Sequence, residues 1–590
     1  MKNKKVEELL HHVENPSRYI GKEINSFNKP FSSQKINFCL AFPDVYEIGI
    51  SHLGLKILYT ILNRENDSTA DRVYSPWPDF GNLLQSHKID LFSIENQVPL
   101  SRFDCIGFTI QSELTFTNIL YMLDLANIPL LSKNRNENHP LIIAGGPAIT
   151  NPLPMNDFFD AVVIGEAEEL IVEIKNVLKK FKNASTSIKL KQLAQLEGIY
   201  VPQLNNKTTI RKFNKFKDLS FSHQKQLVPW QLATHNRFVA EIMRGCSRGC
   251  RFCHAGFFYR PVRERDCANL AELTIKEADL HGWEEVALTS LSSSDYSCIK
   301  PLIVQLFNSL QDKNTDLSLP SLRVDSLDDD LIRILEKSNQ RNLTIAPEAG
   351  SQRLRNIINK NISKEEIIKG VKLANDRNWK VIKLYFMIGL PFEKESDITA
   401  IIDLINEIIQ TTRKRIKINV TIAPFVPKPH TPFQWAPMLD KETLLSRARK
   451  IKNSFSRKKF VKISYHTIES SLLEGILTRG DEKLNKVVHS AYKTGAKFDA
   501  WKEYFDFSIW EKAAEENNID FYSYLQSYNL EQKLPWDKFG LDLNNEFLKN
   551  EWNKAKKGIK TPDCRESCTN CGICKADLKN VYAKPANKEN

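Results

Sequence analysis

The clearest chemical motif in the sequence is a group of three closely spaced cysteines. Cys246, Cys250 and Cys253 stand at C-x3-C-x2-C spacing in E-I-M-R-G-C-S-R-G-C-R-F-C-H, directly after the strand-like run 238–242. A cubane iron–sulfur cluster takes one thiolate for each of its four irons. Three thiolates on one loop therefore hold three irons and leave the fourth open to a ligand that is not protein.

Structural zinc is the alternative for this loop, because C-x2-C pairs often bind zinc with four protein ligands. His254 is the nearest candidate for a fourth ligand, but it directly follows Cys253 and is poorly placed to close the same tetrahedron. We therefore favour the cluster. Gly245 and Gly249 let the loop turn tightly, and Phe252 adds an apolar wall that limits water.

A second cysteine group lies near the end of the sequence. Cys564, Cys568, Cys571 and Cys574 stand at C-x3-C-x2-C-x2-C spacing and supply a full set of four thiolates. Four protein ligands fit a closed site, which is either a second cubane cluster or zinc. We favour a cluster because the chain already carries one cluster motif. Residues 561–590 are thus predicted to be a four-cysteine metal-binding tail.

Length and composition describe an ordinary globular chain. Its 590 residues are enough for three to four domains at ~150 residues each. No apolar run approaches the ~18 residues of a membrane span, and the N-terminus has no signal-peptide apolar region. We therefore predict a cytoplasmic protein with no membrane span.

The remaining cysteines and the net charge give weaker indications. Seven of the eleven cysteines lie in the two groups, so the sequence does not indicate a disulfide framework. The net charge of +12 permits an RNA or a phosphorylated partner without requiring one.

An α/β pattern surrounds the first cysteine group. Residues 1–170 alternate short apolar runs with helical stretches, which is typical of βαβ units around a parallel sheet. The predicted strands are 36–42, 91–94, 105–110, 141–144 and 161–164. Gly145 and Gly146 follow the fourth of these in a G-G-P turn, and G-E-A-E follows the last. We therefore predict a Rossmann-like domain. Ligands of such sheets lie outside the carboxyl ends of the strands.

The alternation resumes after a lysine-rich linker at residues 171–232. Residues 233–440 are predicted to form a barrel from strands 238–242, 285–288, 321–324, 343–346, 381–387 and 418–423. In parallel barrels the chemistry lies on the loops that follow the strands. Residues 441–560 are predicted to form a helical accessory region, from which we derive no chemistry.

The three-cysteine motif resembles that of the radical S-adenosylmethionine (SAM) superfamily. The whole chain resembles an uncharacterised bacterial group of this superfamily that carries an N-terminal cobalamin-binding-type domain. The resemblance implies a partial (β/α)6 barrel and a [4Fe-4S] cluster that cleaves SAM to a 5′-deoxyadenosyl radical. It makes Cys246, Cys250 and Cys253 the catalytic ligands and implies a reducing partner such as flavodoxin or ferredoxin.

The resemblance also implies a set of residues that contact SAM. These are Phe252, Thr289, Ser290, Ser292, Glu348, Arg353 and Gly389. Thr289 to Ser292 replace a G-G-E-like segment of relatives, so their role rests on position. Glu348 would accept from polar groups of SAM, and Arg353 or Arg355 would pair with its carboxylate. In the alternative interpretation Glu348 lies beside a helix N-cap and the arginines are at the surface.

Resemblance to the cobalamin-binding domain rests on the G-G-P turn and on G-E-A-E. Gly145 and Gly146 would then contact cobalamin. The D-x-H-x-x-G loop of other cobalamin proteins is absent, because His52 stands in S-H-L-G without the aspartate and the glycine. A vestigial Rossmann-like domain that serves as a lid or a substrate platform is the alternative.

Three functions follow from these features. With cobalamin, the chain would transfer a methyl group to an unactivated carbon. Without it, the barrel's proline-rich end, A-P-F-V-P-K-P-H-T-P-F-Q-W, resembles the methylthiotransferase branch and favours RNA modification. The third is a non-catalytic redox sensor or scaffold. The run F-F-Y-R-P-V-R-E-R-D either contacts a phosphate or stacked base or forms internal ion pairs, and the substrate is a small molecule or an RNA.

Overall fold

The structure is a computed structural model that describes residues 4–218, 225–320, 323–324, 332–333, 336, 342–575, 578 and 580–582. Its N-terminal domain is a six-stranded sheet in the order β2-β1-β3-β4-β5-β6, in which only β6 is antiparallel to its neighbour. The strands are β1 Ile36–Phe42, β2 Ser68–Tyr74, β3 Cys105–Thr109, β4 Leu141–Gly145, β5 Ala161–Val163 and β6 Ile199–Tyr200. The helices are α1 Lys4–Leu9, α2 Tyr46–Gly49, α3 Leu53–Arg64, α4 Pro78–Ser86, α5 Phe116–Leu125, α6 Leu170–Lys180 and α7 Thr186–Leu193.

This sheet corrects two sequence predictions. Residues 91–94 are not a strand, because the Ile94 N–H donates to the carbonyl of Arg72 and the Leu91 N–H to that of Leu125, which holds them as a buried loop. The second strand is instead β2. The predicted linker also begins too early, since α6, α7 and β6 complete this domain.

The second domain contains two parallel sheets. One has the order β12-β11-β8 and the other β13-β14-β15-β16. The strands are β8 Phe238–Glu241, β11 Glu285–Thr289, β12 Asp316–Ser318, β13 Asn342–Glu348, β14 Val381–Ile388, β15 Lys417–Pro424 and β16 Val461–Tyr465. The helices are α8 His254–Phe258, α9 Cys267–His281, α10 Ile299–Leu310, α11 Gln352–Ile357, α12 Lys364–Asp376, α13 Glu395–Thr411 and α14 Lys441–Asn453. The predicted α/β class with a partial barrel is confirmed.

Two barrel strands differ from the sequence prediction. The third strand is β12, whereas the predicted segment 321–324 includes residues 321 and 322, which lie outside the described part of the chain. The seventh strand, β16, pairs in parallel with β15 from Ile418↔Val461 to Ile422↔Tyr465, so the parallel sheet continues past the predicted boundary at residue 440.

Local sequence sets the ends of the helix that follows the first cysteine group. The Asp266 carboxylate accepts from the Asn269 N–H at 3.0 Å and caps the start of α9. Gly282 ends the helix with φ at 61°, a left-handed conformation that glycine adopts without strain. Cys267 at its start forms a disulfide with Cys298, which precedes α10.

Short ladders and helices complete the chain. The pairs β7 Thr208–Thr209 with β17 Phe539–Gly540, and β9 Met243–Arg244 with β10 Arg263–Glu264, are two residues long. The accessory helices are α15 Ile468–Arg479, α16 Leu484–Thr494, α17 Phe507–Glu516 and α18 Asn545–Lys556. Within the described ranges no helix is both long and apolar enough to cross a bilayer.

The accessory region packs against the N-terminal domain. Trp77 meets Phe498, Trp501 and Tyr504 edge to face, with ring centroids 4.9–5.1 Å apart. Such aromatic pairs contribute beyond their buried area. Asp499 accepts from the Thr117 hydroxyl of α5 at 2.6 Å and from the Trp510 indole at 3.1 Å. These contacts hold the first sheet over the barrel.

We expect Asp499→Asn to stabilise the protein at alkaline pH. Burial raises the pKa of Asp499 from 3.8 to about 6, so the folded protein binds this proton more tightly than the unfolded chain. Wild-type stability therefore falls as pH rises through this interval. The variant should gain about 1–2 kcal/mol at pH 8 and little at pH 4.

Thermal unfolding midpoints measured from pH 4 to pH 8 check this. Asp506→Asn is the matched control, because Asp506 is an exposed N-cap that accepts from the Ser508 N–H. An equal gain for both variants at every pH would contradict the role of Asp499.

Candidate functional site

The three cysteines of the first group lie together on the loop between β9 and α8. Burial raises the pKa of Cys246 to about 11 and of Cys253 to about 12, and the neighbouring Cys250 thiol adds to both shifts. The Gly256 N–H donates to the Cys253 sulfur at 3.4 Å. Metal-free thiols with these pKa values are protonated at neutral pH, so metal binding must displace their protons.

A carboxylate far along the chain anchors this loop. Arg251 is fully buried and contacts Glu551 of α18 at 3.1 Å. Its guanidinium also donates to the carbonyls of Ile357 and Ile559, both at 2.8 Å. Because an unpaired buried charge is costly, these partners fix the loop between α11 and the C-terminal segment.

His254 does not join the cysteine ligands. Its Nε2 lies 3.2 Å from the Thr150 hydroxyl of the N-terminal domain, and its ring stacks on Phe258 at 5.6 Å. The imidazole therefore points across the domain boundary. His254 therefore does not supply the fourth ligand that a zinc site on this loop would need. The three thiolates fit a [4Fe-4S] cluster with one open iron.

Glu348 lies close to the cysteine loop, as its predicted role requires. It ends β13 with φ at 65°, a conformation that a residue with a side chain adopts only at a cost. Its carboxylate accepts from Lys360 at 3.2 Å. Glu348 and the Cys250 thiol together raise the pKa of Lys360 against the opposing effect of burial. Lys360 thus places a partly buried cation near Cys250, which the sequence pattern did not indicate.

The other residues implied to bind SAM divide into two groups. Thr289 and Ser290 face the cavity described below, and Phe252 packs on the apolar cluster that includes Leu354 and Phe425. Ser292 is buried and donates to Asp295 at 2.7 Å. Thr289 and Ser290 thus share one cavity, and the roles of all four residues stay predictions.

Gly389 and Arg353 are held by neighbouring carboxylates. Gly389 has φ at 81°, and its N–H donates to Glu393 at 2.7 Å. The Arg353 guanidinium pairs with Asp397 and donates to the Phe392 carbonyl at 2.9 Å. Arg353 is thus engaged at a half-exposed ion pair. Its predicted contact with the SAM carboxylate has no support from this geometry.

A cavity of about 390 Å³ lies between the first sheet and the barrel. The carboxyl edge of the sheet lines one side with Gly145 and Gly146, and the barrel lines the other with Gly245 and Thr289. Its remaining walls are mainly apolar and include Leu40, Ile57, Phe108, Ile143 and Ile171. Its size and lining are those of a cofactor pocket. Gly145 and Gly146 on the sheet side and Thr289 and Ser290 on the barrel side were singled out from the sequence, which did not indicate that they line one cavity.

Backbone geometry explains why residue 146 at this edge is a glycine. Gly146 has φ at 120°, and a Cβ placed there would lie 2.2 Å from the Ile110 carbonyl oxygen. Only glycine fits. His52 also faces the cavity, but its Nδ1 accepts from the Leu55 N–H at 3.1 Å and caps α3.

Buried arginines of the segment after the cysteines form internal ion pairs. Glu166 accepts from Arg263 at 2.6 and 2.8 Å and lies 3.4 Å from Arg244. Burial raises the pKa of Glu166, but these arginines more than reverse the effect and hold it below its ordinary value. Arg265 donates to the Phe216 and Asp218 carbonyls. These contacts favour the internal-pair interpretation of F-F-Y-R-P-V-R-E-R-D.

Comparison with known families agrees with this site. Residues 54–202 match the model described as Radical SAM proteins, N-terminal, and residues 240–405 match the Radical SAM superfamily. An uncharacterized protein of Methanocaldococcus jannaschii, MJ0966, is 31% identical over 455 residues, which cover 76% of this chain and 90% of that protein. The chain belongs to the radical SAM superfamily. It is an enzyme of that class, and the class implies a [4Fe-4S] cluster and SAM.

More distant similarities extend over much of the chain. A putative methylthiotransferase of the same organism, MJ0865, is 24% identical over 354 residues, which cover 57% of this chain and 73% of that protein. Among solved structures, the radical SAM methyltransferase TsrM from Kitasatospora setae covers 82% of this chain and 100% of its own, with 12% identity and a TM-score of 0.49. The cobalamin-dependent SAM radical enzyme OxsB covers 90% and 82%, with 12% identity and a TM-score of 0.43.

We expect Glu166→Gln to destabilise the protein by about 3 kcal/mol, because it leaves the buried Arg263 and Arg244 without their shared charge. Glu169→Gln is the control, since Glu169 pairs with the exposed Lys215 at 2.9 Å and such pairs contribute about 0–1 kcal/mol. Thermal unfolding midpoints compare the two variants. Equal midpoints would contradict the importance of the Glu166 network.

Proposed function

We propose that this radical SAM enzyme is a methyltransferase that binds cobalamin in the cavity between the first sheet and the barrel. One observation carries the proposal: a single apolar cavity reaches both the glycine edge of a Rossmann-like sheet and Gly245, the residue before Cys246. A cofactor held there would face the cysteine loop directly. When bound, cobalamin supplies a methyl group for transfer to an unactivated carbon.

The chain's own residues serve three tasks in this proposal. Cys246, Cys250 and Cys253 would hold the cluster and leave one iron for SAM. Enzymes of this class cleave a C–S bond of SAM with one electron. Phe252 and the apolar wall behind it restrict water. Lys360 and Glu348 supply a partly buried charge pair beside the site, where electrostatic interactions are stronger than in water.

Cobalamin would bind here without a histidine from a D-x-H-x-x-G loop. His52 is the histidine that lines this cavity, and its Nδ1 is already used as a helix cap. Burial lowers the pKa of His52 to about 4, so the ring is neutral at physiological pH. The apolar floor and the glycine edge would therefore contribute most of the contact.

RNA modification is the second candidate, and the similarity to the putative methylthiotransferase favours it. It makes no use of a cobalamin site, so the two candidates differ in what the cavity binds. A cytoplasmic location, a reducing partner of the flavodoxin or ferredoxin type and the substrate itself stay predictions from the sequence.

The first test addresses SAM cleavage. Anaerobically reconstituted protein given dithionite and SAM should form 5′-deoxyadenosine, measured by chromatography. Cys250→Ala should reduce the yield by at least about 10²-fold, because it removes a ligand of the cluster. Cys39→Ala, which removes a buried thiol of the first sheet, should retain full yield. No product from the wild-type protein would refute the reaction.

The second test addresses the cavity. Protein purified from cells supplied with hydroxocobalamin should show the visible spectrum of cobalamin. Gly145→Leu should remove this spectrum, because a Cβ at residue 145 meets Val163 of the cavity wall at 3.4 Å and leaves the rest of the side chain to fill the space. Iron content should not change.

The matched control is Gly540→Leu, since Gly540 lies on β17 and a Cβ there contacts only Thr209, at 3.7 Å. Cobalamin absent from wild-type protein that still forms 5′-deoxyadenosine would overturn methyl transfer and leave RNA modification.

A further inference from the structure

The four cysteines of the tail lie against the loop that carries the first group. The Cys564 N–H donates to the carbonyl of Ser247, the residue after Cys246, at 3.2 Å. The adjacent Asp563 contacts Arg248 of the same loop at 3.2 Å. The backbone of one cysteine group is thus hydrogen-bonded directly to that of the other.

A second carboxylate reinforces this junction. Asp295 contacts Arg248 of the cysteine loop at 2.5 Å and Arg565 of the tail at 2.8 Å. The Val581 N–H donates to the Val262 carbonyl at 3.0 Å on the other side of the tail cysteines. The tail is therefore fixed at both ends of its cysteine motif.

Arg260 lies between the two groups of thiols. It is 4% exposed, and its Nε and Nη1 have no hydrogen-bond partner within the described chain. Its guanidinium contacts the Cys571 thiol of the tail, lies over the Phe257 ring at 4.7 Å, and brings Nη2 within 3.2 Å of where a Cβ on Gly249 of the first cysteine loop would stand. No carboxylate of the described residues pairs with it. A buried guanidinium with free N–H groups requires nearby anions, and metal-bound thiolates on both sides would supply them.

The cysteines of the tail differ in their exposure to solvent. Cys571 is 8% exposed and lies on the Arg260 side, whereas Cys568 and Cys574 are exposed to solvent. Four thiols fit a cubane cluster, which takes one thiolate for each iron, and the class already implies one such cluster in this chain.

We propose that Cys564, Cys568, Cys571 and Cys574 hold a second iron–sulfur cluster that passes single electrons from solvent-side carriers to the first cluster, with Arg260 as the positioning residue between them. This relay rests on the radical SAM chemistry of the class and not on cobalamin binding. Because the reduced form of a cluster carries one more negative charge, the Arg260 cation favours reduction on both sides.

The electron balance of the relay is simple. A low-potential one-electron carrier protein is oxidised by one electron at the exposed edge near Cys568 and Cys574. A cluster held by Cys564, Cys568, Cys571 and Cys574 would accept that electron and pass it to the one held by Cys246, Cys250 and Cys253, and so would return to its starting state. Cleavage of the C–S bond of SAM consumes the electron. No proton moves and no other bond changes within the relay.

Metal analysis tests the identity of the second site. Anaerobically reconstituted wild-type protein should contain about eight irons per chain, as two cubane clusters require. The double variant Cys568→Ser with Cys574→Ser should contain about four. Cys39→Ala should keep the wild-type content. About four irons with one zinc in the wild-type protein would overturn the cluster assignment.

Reduction by two donors tests the relay separately from the proposed function. Dithionite, a small molecule, should drive 5′-deoxyadenosine formation in the double variant at close to the wild-type rate. Reduced ferredoxin, used as the carrier probe, should drive it at least tenfold more slowly than in the wild type. Equal ferredoxin-driven rates would overturn the relay, whereas failure of dithionite in the wild type would refute the reaction itself.

Arg260→Gln tests the same proposal with all cysteines in place. Redox titration followed by electron paramagnetic resonance should show the reduction equilibria of both clusters at least tenfold less favourable, which is about 59 mV for one electron. Arg260→Lys should recover most of this shift, and Lys441→Gln, which removes an exposed ion pair with Glu469 at 2.9 Å, should leave both potentials unchanged. A shift in neither cluster, or in one alone, would overturn the placement of Arg260 between them.

Discussion

The buried contact between Arg251 and Glu551 is the constraint on which the site depends. Arg251 stands inside the cysteine loop, and its carboxylate partner belongs to a helix 300 residues further along the chain. Breaking such a buried pair typically costs 3–5 kcal/mol, because one charge is left without compensation. The loop that holds three thiolates is therefore ordered by the last helix of the chain as much as by the strand that precedes it.

Contacts between segments that are distant in sequence also join the other parts of the molecule. The accessory region packs Phe498 and Trp501 on the N-terminal domain, and the tail bonds to the cysteine loop through Cys564. The cavity needs both domains, since its walls come from the first sheet and from the barrel. The C-terminal third thus holds together two domains that build one site between them.

Sequence patterns predicted those parts of the fold in which local chemistry and tertiary structure agree. Strand β1 is an unbroken buried apolar run and was found with its bounds. Strand β2 was missed because it contains Asp71 and Arg72, which are buried in the folded chain. Arg72 is compensated by Glu23 at 2.7 Å and Glu95 at 2.5 Å, and neither partner is visible from the strand itself. The site shows the same division: both cysteine groups were found by spacing, whereas Lys360 and Arg260 act through distant partners.

The dependence of the cysteine loop on Glu551 has a consequence for how the protein matures. A ribosome synthesises Cys246, Cys250 and Cys253 long before it synthesises the residues that anchor Arg251. Contacts between such distant segments form late, because closing a long loop of chain has an entropic cost. Until that segment has folded, the three thiols stand on a loop without its buried anchor, so we expect stable iron binding only after Glu551 has been synthesised.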